Sequence, residues 1–218
     1  MILACGGAAG SKVGGVLDGY KLAKALGHHR TALYPSLVQI KTDPTYPRSL
    51  KGVKTDARLR LCRGKTVLAE NEGEILFTEY GVSGPAVFEI SRQVAIGGEG
   101  LTLHLDLWAG KGHKEICSHL ARRCRSKAGC AGSEQTAGCI FAGVLHSRLG
   151  QVVVKAAGLS PAAPLGSLQA ADLAALAAQC KDFPLPVTGT CGFDQAQVTA
   201  GGLDTAEFDP HTLQSRLV

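Results

Sequence analysis

Four groups of residues in this chain have the types and spacing to do chemistry. His113 and Cys117 stand four apart, which on a helix puts both on one face at the spacing of a metal-ligand pair. Two ligands do not make a site, and His119 is six residues from His113 and points elsewhere, so no metal is expected. Glu79, Tyr80 and Ser83 lie together and offer an acid and a phenol at one loop tip. The same stretch also reads as a helix start, with Ser83 capping and Pro85 in the first turn, where its missing N–H costs nothing. That structural reading is the preferred one. Cys5 is a lone thiol, of the kind that is usually inert. No Ser-His-Asp or Cys-His arrangement with supporting context is visible.

Lys111, Lys114, Arg122, Arg123, Arg125 and Lys127 form a basic segment that also holds His113 and His119, within a chain whose net charge is +5. A basic helix can contact phosphates, but it is more often a solvated face. No aromatic residue interleaves the cations to stack bases. A noncatalytic binding module, its basic helical face meeting nucleic acid or a protein partner, is therefore the second reading and not the first.

The elements that must carry these groups can be read from periodicity. Residues 2–4 form a short apolar run, the stretch from Gly6 to Gly15 is glycine-rich, and residues 18–26 have helical apolar spacing that Gly27 stops. Strand, glycine loop and helix are the local unit of nucleotide-binding folds. Short strands follow over 37–40, 52–61, 66–69 and 74–78, making a small antiparallel sheet, then a helix over 85–94 and an alternating strand over 101–107. Helices are expected over 114–126, 136–149, 151–157 and 167–181, the last with a capped start at Ser167, and strands return over 186–190 and 196–199.

Composition bounds the class. The chain has 218 residues, 45% hydrophobic, and only 5% aromatic, so Leu, Val, Ile and Ala must fill the core. No run is long and apolar enough to span a bilayer, and the first residues carry no basic leader. The eight cysteines show no C-x-x-C pair. Reduced thiols and a cytoplasmic location are the expectation.

Several blocks, taken in order, resemble the bacterial NAD(P)/FAD-dependent oxidoreductases of the aminoacetone-oxidase-like or BaiN type. They are Leu3-Ala-Cys-Gly-Gly7, Asp18-Gly-Tyr-Lys-Leu-Ala-Lys-Ala-Leu-Gly-His28 and Leu33-Tyr-Pro-Ser-Leu37. Further on come Gly73-Glu-Ile-Leu-Phe-Thr-Glu-Tyr-Gly-Val-Ser-Gly-Pro85, the most specific of them, then residues 187–202 and Thr212-Leu-Gln-Ser215. The resemblance runs along nearly the whole chain and implies an α+β fold. Residues 1–35 would be a remnant of a Rossmann-type FAD-binding domain, 36–200 an inserted domain and 201–218 a return segment. Within the insert, 36–108 and 183–200 would form a β subdomain and 109–182 a helical one.

The resemblance further implies a parent enzyme that moves hydride between a nicotinamide and an unidentified small substrate through FAD, with the insert over the flavin's substrate side. Gly6, Gly7, Thr199, Gly201 and Gly202 are the residues it places near the cofactor. The G-x-G-x-x-G fingerprint and the acidic ribose ligand are absent, since Gly10, Gly14 and Gly15 have the wrong spacing. The chain is therefore expected to be a cut or truncated piece, inactive by itself and holding no FAD, whose partners are the FAD-binding segments of the parent. One departure falls in the matched loop, where Leu17 stands at a position the family gives to glycine, so Asp18 is not carried over as functional.

Overall fold

The computed structural model describes residues 2–125 and 135–218, so Lys127, Cys130 and the loop expected over 128–133 lie outside the described residues. The fold is α+β. Helix α1 (Asp18–Ala25) follows the glycine loop, and strands β1 (Tyr34–Ser36) and β2 (Ile40–Thr42) follow it. The single strand expected over 37–40 is replaced by these two, because Leu37 takes a left-handed backbone (φ 51°) and turns the chain between them.

Strands β3 (Lys54–Arg63), β4 (Thr66–Thr78) and β5 (Gly81–Ser83), helix α2 (Pro85–Gly97) and strand β6 (Leu101–Asp106) come next. Helices α3 (His113–Arg125), α4 (Ser147–Ala156) and α5 (Ala170–Lys181) separate them from β7 (Phe183–Thr190) and β8 (Val198–Ala200). Six antiparallel strands close into a barrel in the order β2-β5-β4-β3-β6-β7. Closure removes the free edges that a small open sheet would leave. Its interior is filled by Leu59, Leu61, Ile75, Phe77, Leu103, Leu105, Phe183 and Leu185, each at most 1% exposed. The alternation of β6 points Leu101, Leu103 and Leu105 inward, as its leucines require.

Strand β4 runs unbroken where two strands were expected. Its middle is polar because Glu70 and Glu72 lie on the outer side of a long ribbon paired with β3 from Lys54↔Leu76 to Arg63↔Thr66, while Asn71 on the other side donates to the Ala86 carbonyl of the following helix at 3.1 Å. Helix α2 buries Val87, Ile90 and Val94. Ser83 does not cap it: Ser83 is buried in β5, and Gly84 (φ 108°) is the cap residue, since a Cβ there would press 2.8 Å from the Glu74 carbonyl.

Helices α3, α4 and α5 fill the connection between β6 and β7, and their buried side chains, among them Ile116, Leu120, Leu149, Val153 and Leu176, are continuous with the barrel core. The helix expected over 136–149 is a short turn at Ala137–Cys139, followed by further turns with a left-handed Gly143 (φ 80°), and α4 begins only at Ser147. Gly150 breaks nothing and sits inside α4, where a Cβ would come 3.2 Å from Phe141. The start of α5 is capped by Gln169 and Asp172 in a capping box, not by Ser167, whose hydroxyl donates to the Pro164 carbonyl at 2.8 Å. Residues 2–4 form no strand. A strand needs a neighbour, and Ile2 is 92% exposed with no ladder partner among the described residues.

Candidate functional site

Strands β1 and β8 stand apart from the barrel as a two-stranded antiparallel neck, pairing Tyr34↔Ala200 and Ser36↔Val198. The neck continues through Gly201 and Gly202. Gly201 has φ +87°, and a Cβ on it would lie 2.1 Å from the Ala32 carbonyl oxygen, so only glycine fits. The Thr31 N–H donates to the Gly202 carbonyl at 2.8 Å, and the Gly202 N–H donates to the Thr31 hydroxyl at 3.1 Å.

The N-terminal glycine loop folds onto this neck. The Ala9 N–H donates to Thr199 Oγ1 at 2.9 Å, and the Gly10 N–H to the Phe193 carbonyl at 2.9 Å. The Ser11 hydroxyl donates to Asp194. Gly7 has no room for a side chain, because a Cβ would meet Thr199 Oγ1 at 2.8 Å and the Tyr20 phenol at 3.0 Å. Gly19 is closed in the same way by the Cys5 sulfur at 2.4 Å from its Cβ position. Gly6 and Gly202 differ from these: nothing lies within 4 Å of either Cβ position. Gly7 thus packs on Thr199, two residues before Gly201, with Gly6 and Gly202 open and Gly7 and Gly201 closed by the protein's own atoms. Leu17 has an ordinary backbone (φ −101°) at the start of α1, so its side chain imposes no strain.

Below the neck, His28 reaches two partners far along the chain. Its Nδ1 is 2.8 Å from Glu207 Oε2 and its Nε2 is 3.0 Å from Ser215 Oγ, while its ring stacks on Phe208 at 4.6 Å. A neutral ring protonated on Nδ1 satisfies both contacts, with the Ser215 hydroxyl donating to Nε2. This is a Ser-His-Glu relay that sequence order gave no reason to expect. It is a clamp, however, because Ser215 Oγ already accepts the N–H groups of Leu217 and Val218 at 3.0 and 3.1 Å. His29 adds two more hydrogen bonds to Glu207, through its ring at 2.6 Å and its backbone N–H at 3.0 Å. The block ending in His28 and the block ending in Ser215 are therefore one cluster in space.

At the barrel mouth, Lys41, Thr42, Arg48, Glu79, Tyr80 and Thr188 line a groove of about 510 Å³. The acid and phenol expected at this loop tip are both present but unlike. Lys51 hydrogen-bonds Glu79 at 2.8 Å and holds its carboxyl below the usual range, so Glu79 stays ionised. Burial and then the neighbouring Cys191 push the Tyr80 phenol up, which keeps it a donor. His113 and Cys117 do share a face of α3, 3.7 Å apart, yet His113 Nε2 lies 3.1 Å from the Ala174 carbonyl. No group of three metal-binding side chains occurs among the described residues.

An open cleft of about 750 Å³ runs along α1, lined by Leu17, Tyr20, Lys24, His28 and Arg30 among others. Leu17, Leu22 and Leu26, in and beside α1, are exposed, as are Leu3, Val16, Leu213 and Leu217. No helix among the described residues is long and apolar enough to cross a membrane.

The class of domain is defined by a closed antiparallel barrel, a helical insertion between two of its strands and a two-stranded neck outside the barrel. A family model described as "HI0933-like protein barrel and H2TH domain" matches residues 34–198, beginning on β1 and ending on β8. The chain belongs to this HI0933-like family. It is also 35% identical over 223 residues to a 3-dehydro-bile acid delta(4,6)-reductase of Clostridium scindens, covering 99% of this chain and 52% of that protein. A ribosomal RNA dihydrouridine synthase of Escherichia coli K12 is 28% identical over 225 residues, covering 100% of this chain and 51% of that protein. The chain spans about half the length of these curated relatives.

Proposed function

We propose that this chain is the inserted domain, with its two junctions, of a FAD-dependent oxidoreductase that moves hydride between NAD(P)H and a substrate lying under the barrel. The observation that carries the proposal is the neck. A domain inserted into a host leaves and re-enters at neighbouring points, and Ser36↔Val198 is such a pair. Residues 1–35 and 201–218 then belong to the host, 36–200 to the insert, and the exposed apolar face of α1 is where the host's other segments pack. One relative is named a reductase and the other a synthase of a dihydro product, so both names denote addition of hydrogen, which FAD, when bound, would mediate.

The residues present fit part of such a cofactor site. Gly6 and Gly202 expose bare backbone to open space, where a flat ring could approach closely. Thr199, Gly7 and Gly201 hold these two edges in register by their packing. Tyr80, kept protonated at the barrel mouth, is the donor best placed to hold a polar group of the substrate. The phosphate and ribose contacts would come from the host segments.

A chimera tests the proposal. Joining this chain to the remaining segments of the bile acid reductase and purifying the product should give a protein with flavin absorbance and flavin-dependent NAD(P)H oxidation. A chimera that folds cooperatively but binds no flavin overturns it.

A further inference from the structure

We propose that the groove between Trp108 and the outer side of α3 binds an unpaired nucleotide of a single-stranded nucleic acid, with the indole as stacking surface and Lys111, Lys114 and Arg122 on the flanking phosphates. This reading stands independently of the flavin proposal. The groove has a volume of about 380 Å³, within the range of small-ligand sites. Trp108, Lys111, Lys114, Ser118, His119 and Arg122 line it.

The cations come from turns of α3 and the loop before it, and the aromatic, Trp108, lies just after β6, three residues before Lys111. The helix sets His119 against the indole, so the ring and the cations line one groove. Trp108 is half-buried and its backbone is set in place, since its backbone N–H donates to Asp106 Oδ1 at 3.1 Å and its carbonyl accepts from the Lys111 N–H at 3.3 Å, while its ring meets His119 edge-on at 5.1 Å. A pre-set aromatic loses little freedom when a base stacks on it.

The charge in the groove is net positive. Glu115 is its carboxylate, and it is committed to the Gly112 N–H at 2.8 Å and to Lys111 at 3.2 Å. Lys114 and Arg122 are exposed and have no carboxylate partner among the described residues. Burial first, and then Arg122, Arg123 and Lys111, hold the His119 imidazole below its ordinary pKa, as a concentration of positive charge should. Arg123 and Arg125 extend the basic run through the last turn of α3. Cations alone would suit any acidic partner. Cations around an aromatic ring suit a base between two phosphates.

Trp108 is the sole tryptophan of the chain, so its fluorescence reports on this groove directly. The whole chain is titrated with a single-stranded oligonucleotide of ten residues, as ribose and deoxyribose versions of one sequence, with the matching duplex and poly-glutamate as further probes. Saturable quenching by either single strand is expected, and the ratio of the two affinities tells whether RNA or DNA fits better. A double variant, Lys114→Glu with Arg122→Glu, should weaken binding at least tenfold and flatten the salt dependence by about one unit of slope for each phosphate no longer neutralised. Trp108→Phe, followed by anisotropy of a labelled strand, should weaken binding less than the charge reversal, since a smaller ring still stacks. Absence of quenching, an unchanged affinity in the charge-reversal variant with native circular dichroism, or equal affinity for duplex or poly-glutamate overturns the proposal.

Discussion

Thr199 Oγ1 accepts the Ala9 N–H at 2.9 Å and fills the space beside Gly7, so a residue of the returning strand β8 holds the loop that precedes α1. The contact ties together two segments that enclose the whole HI0933-like domain. Removing the hydroxyl leaves the Ala9 N–H unsatisfied in a half-buried place. Thr199→Val should cost about 1 kcal/mol in chemical denaturation, while Thr199→Ser keeps most of the stability. Loss in Thr199→Ser with none in Thr199→Val would mean that the methyl group, and not the hydroxyl, makes the contact.

Gly201 and Gly202 should respond oppositely to alanine. Gly201→Ala forces a Cβ against the Ala32 carbonyl at a positive φ, and should destabilise the chain by something on the order of 1–3 kcal/mol. Gly202→Ala meets nothing and should leave the melting temperature close to that of the parent chain. The same Gly202→Ala change in a flavin-binding chimera should lower flavin occupancy, because its open edge is where the proposal puts the ring.

The His28 cluster sets an acid limit. The Glu207 carboxyl is pulled down to about 2, chiefly by the side-chain hydrogen bond from His29, with the His29 N–H and His28 adding to it. A lowered carboxylate pKa favours the folded state above the unfolded value near 4.5, and that stabilisation is lost as pH falls from there toward 2. Glu207→Gln should therefore flatten the acid limb of the stability profile over this interval. A variant with an unchanged acid limb would remove Glu207 from the account.

Thiol labelling should separate the cysteines by burial. Cys5 and Cys139 are exposed and should react first with iodoacetamide, whereas Cys62 and Cys180 are buried and should react only on unfolding. Burial, and then Asp106, push the Cys180 thiol up to about 12, which leaves almost no thiolate at neutral pH. Peptide mass spectrometry reads the order directly.

The chain purified by itself should be colourless after desalting. Gly6 and Gly202 offer bare backbone but no phosphate cradle, since the chain has no G-x-G-x-x-G turn at a helix start. A flavin spectrum at near-stoichiometric occupancy would show that the neck alone binds the cofactor.

Local pattern by itself determined α1, α2, α3 and α5, with bounds a few residues off, and the inward face of β6, because apolar spacing on one element records which side is buried. The resemblance of the blocks likewise carried the family, which the match over residues 34–198 establishes. Local pattern failed where the deciding partner is distant. Polar residues hid the middle of β4 because its pairing with β3, not its own hydrophobicity, keeps it extended. Gly150 stood between two expected helices, whereas it lies inside α4, closed by Phe141 of the preceding turn. Closure of the barrel and the joining of His28 to Ser215 are long-range contacts between residues whose neighbours in sequence give no hint of them. They exist only once the chain has turned back on itself, and so tertiary structure alone decided both the barrel and the clamp.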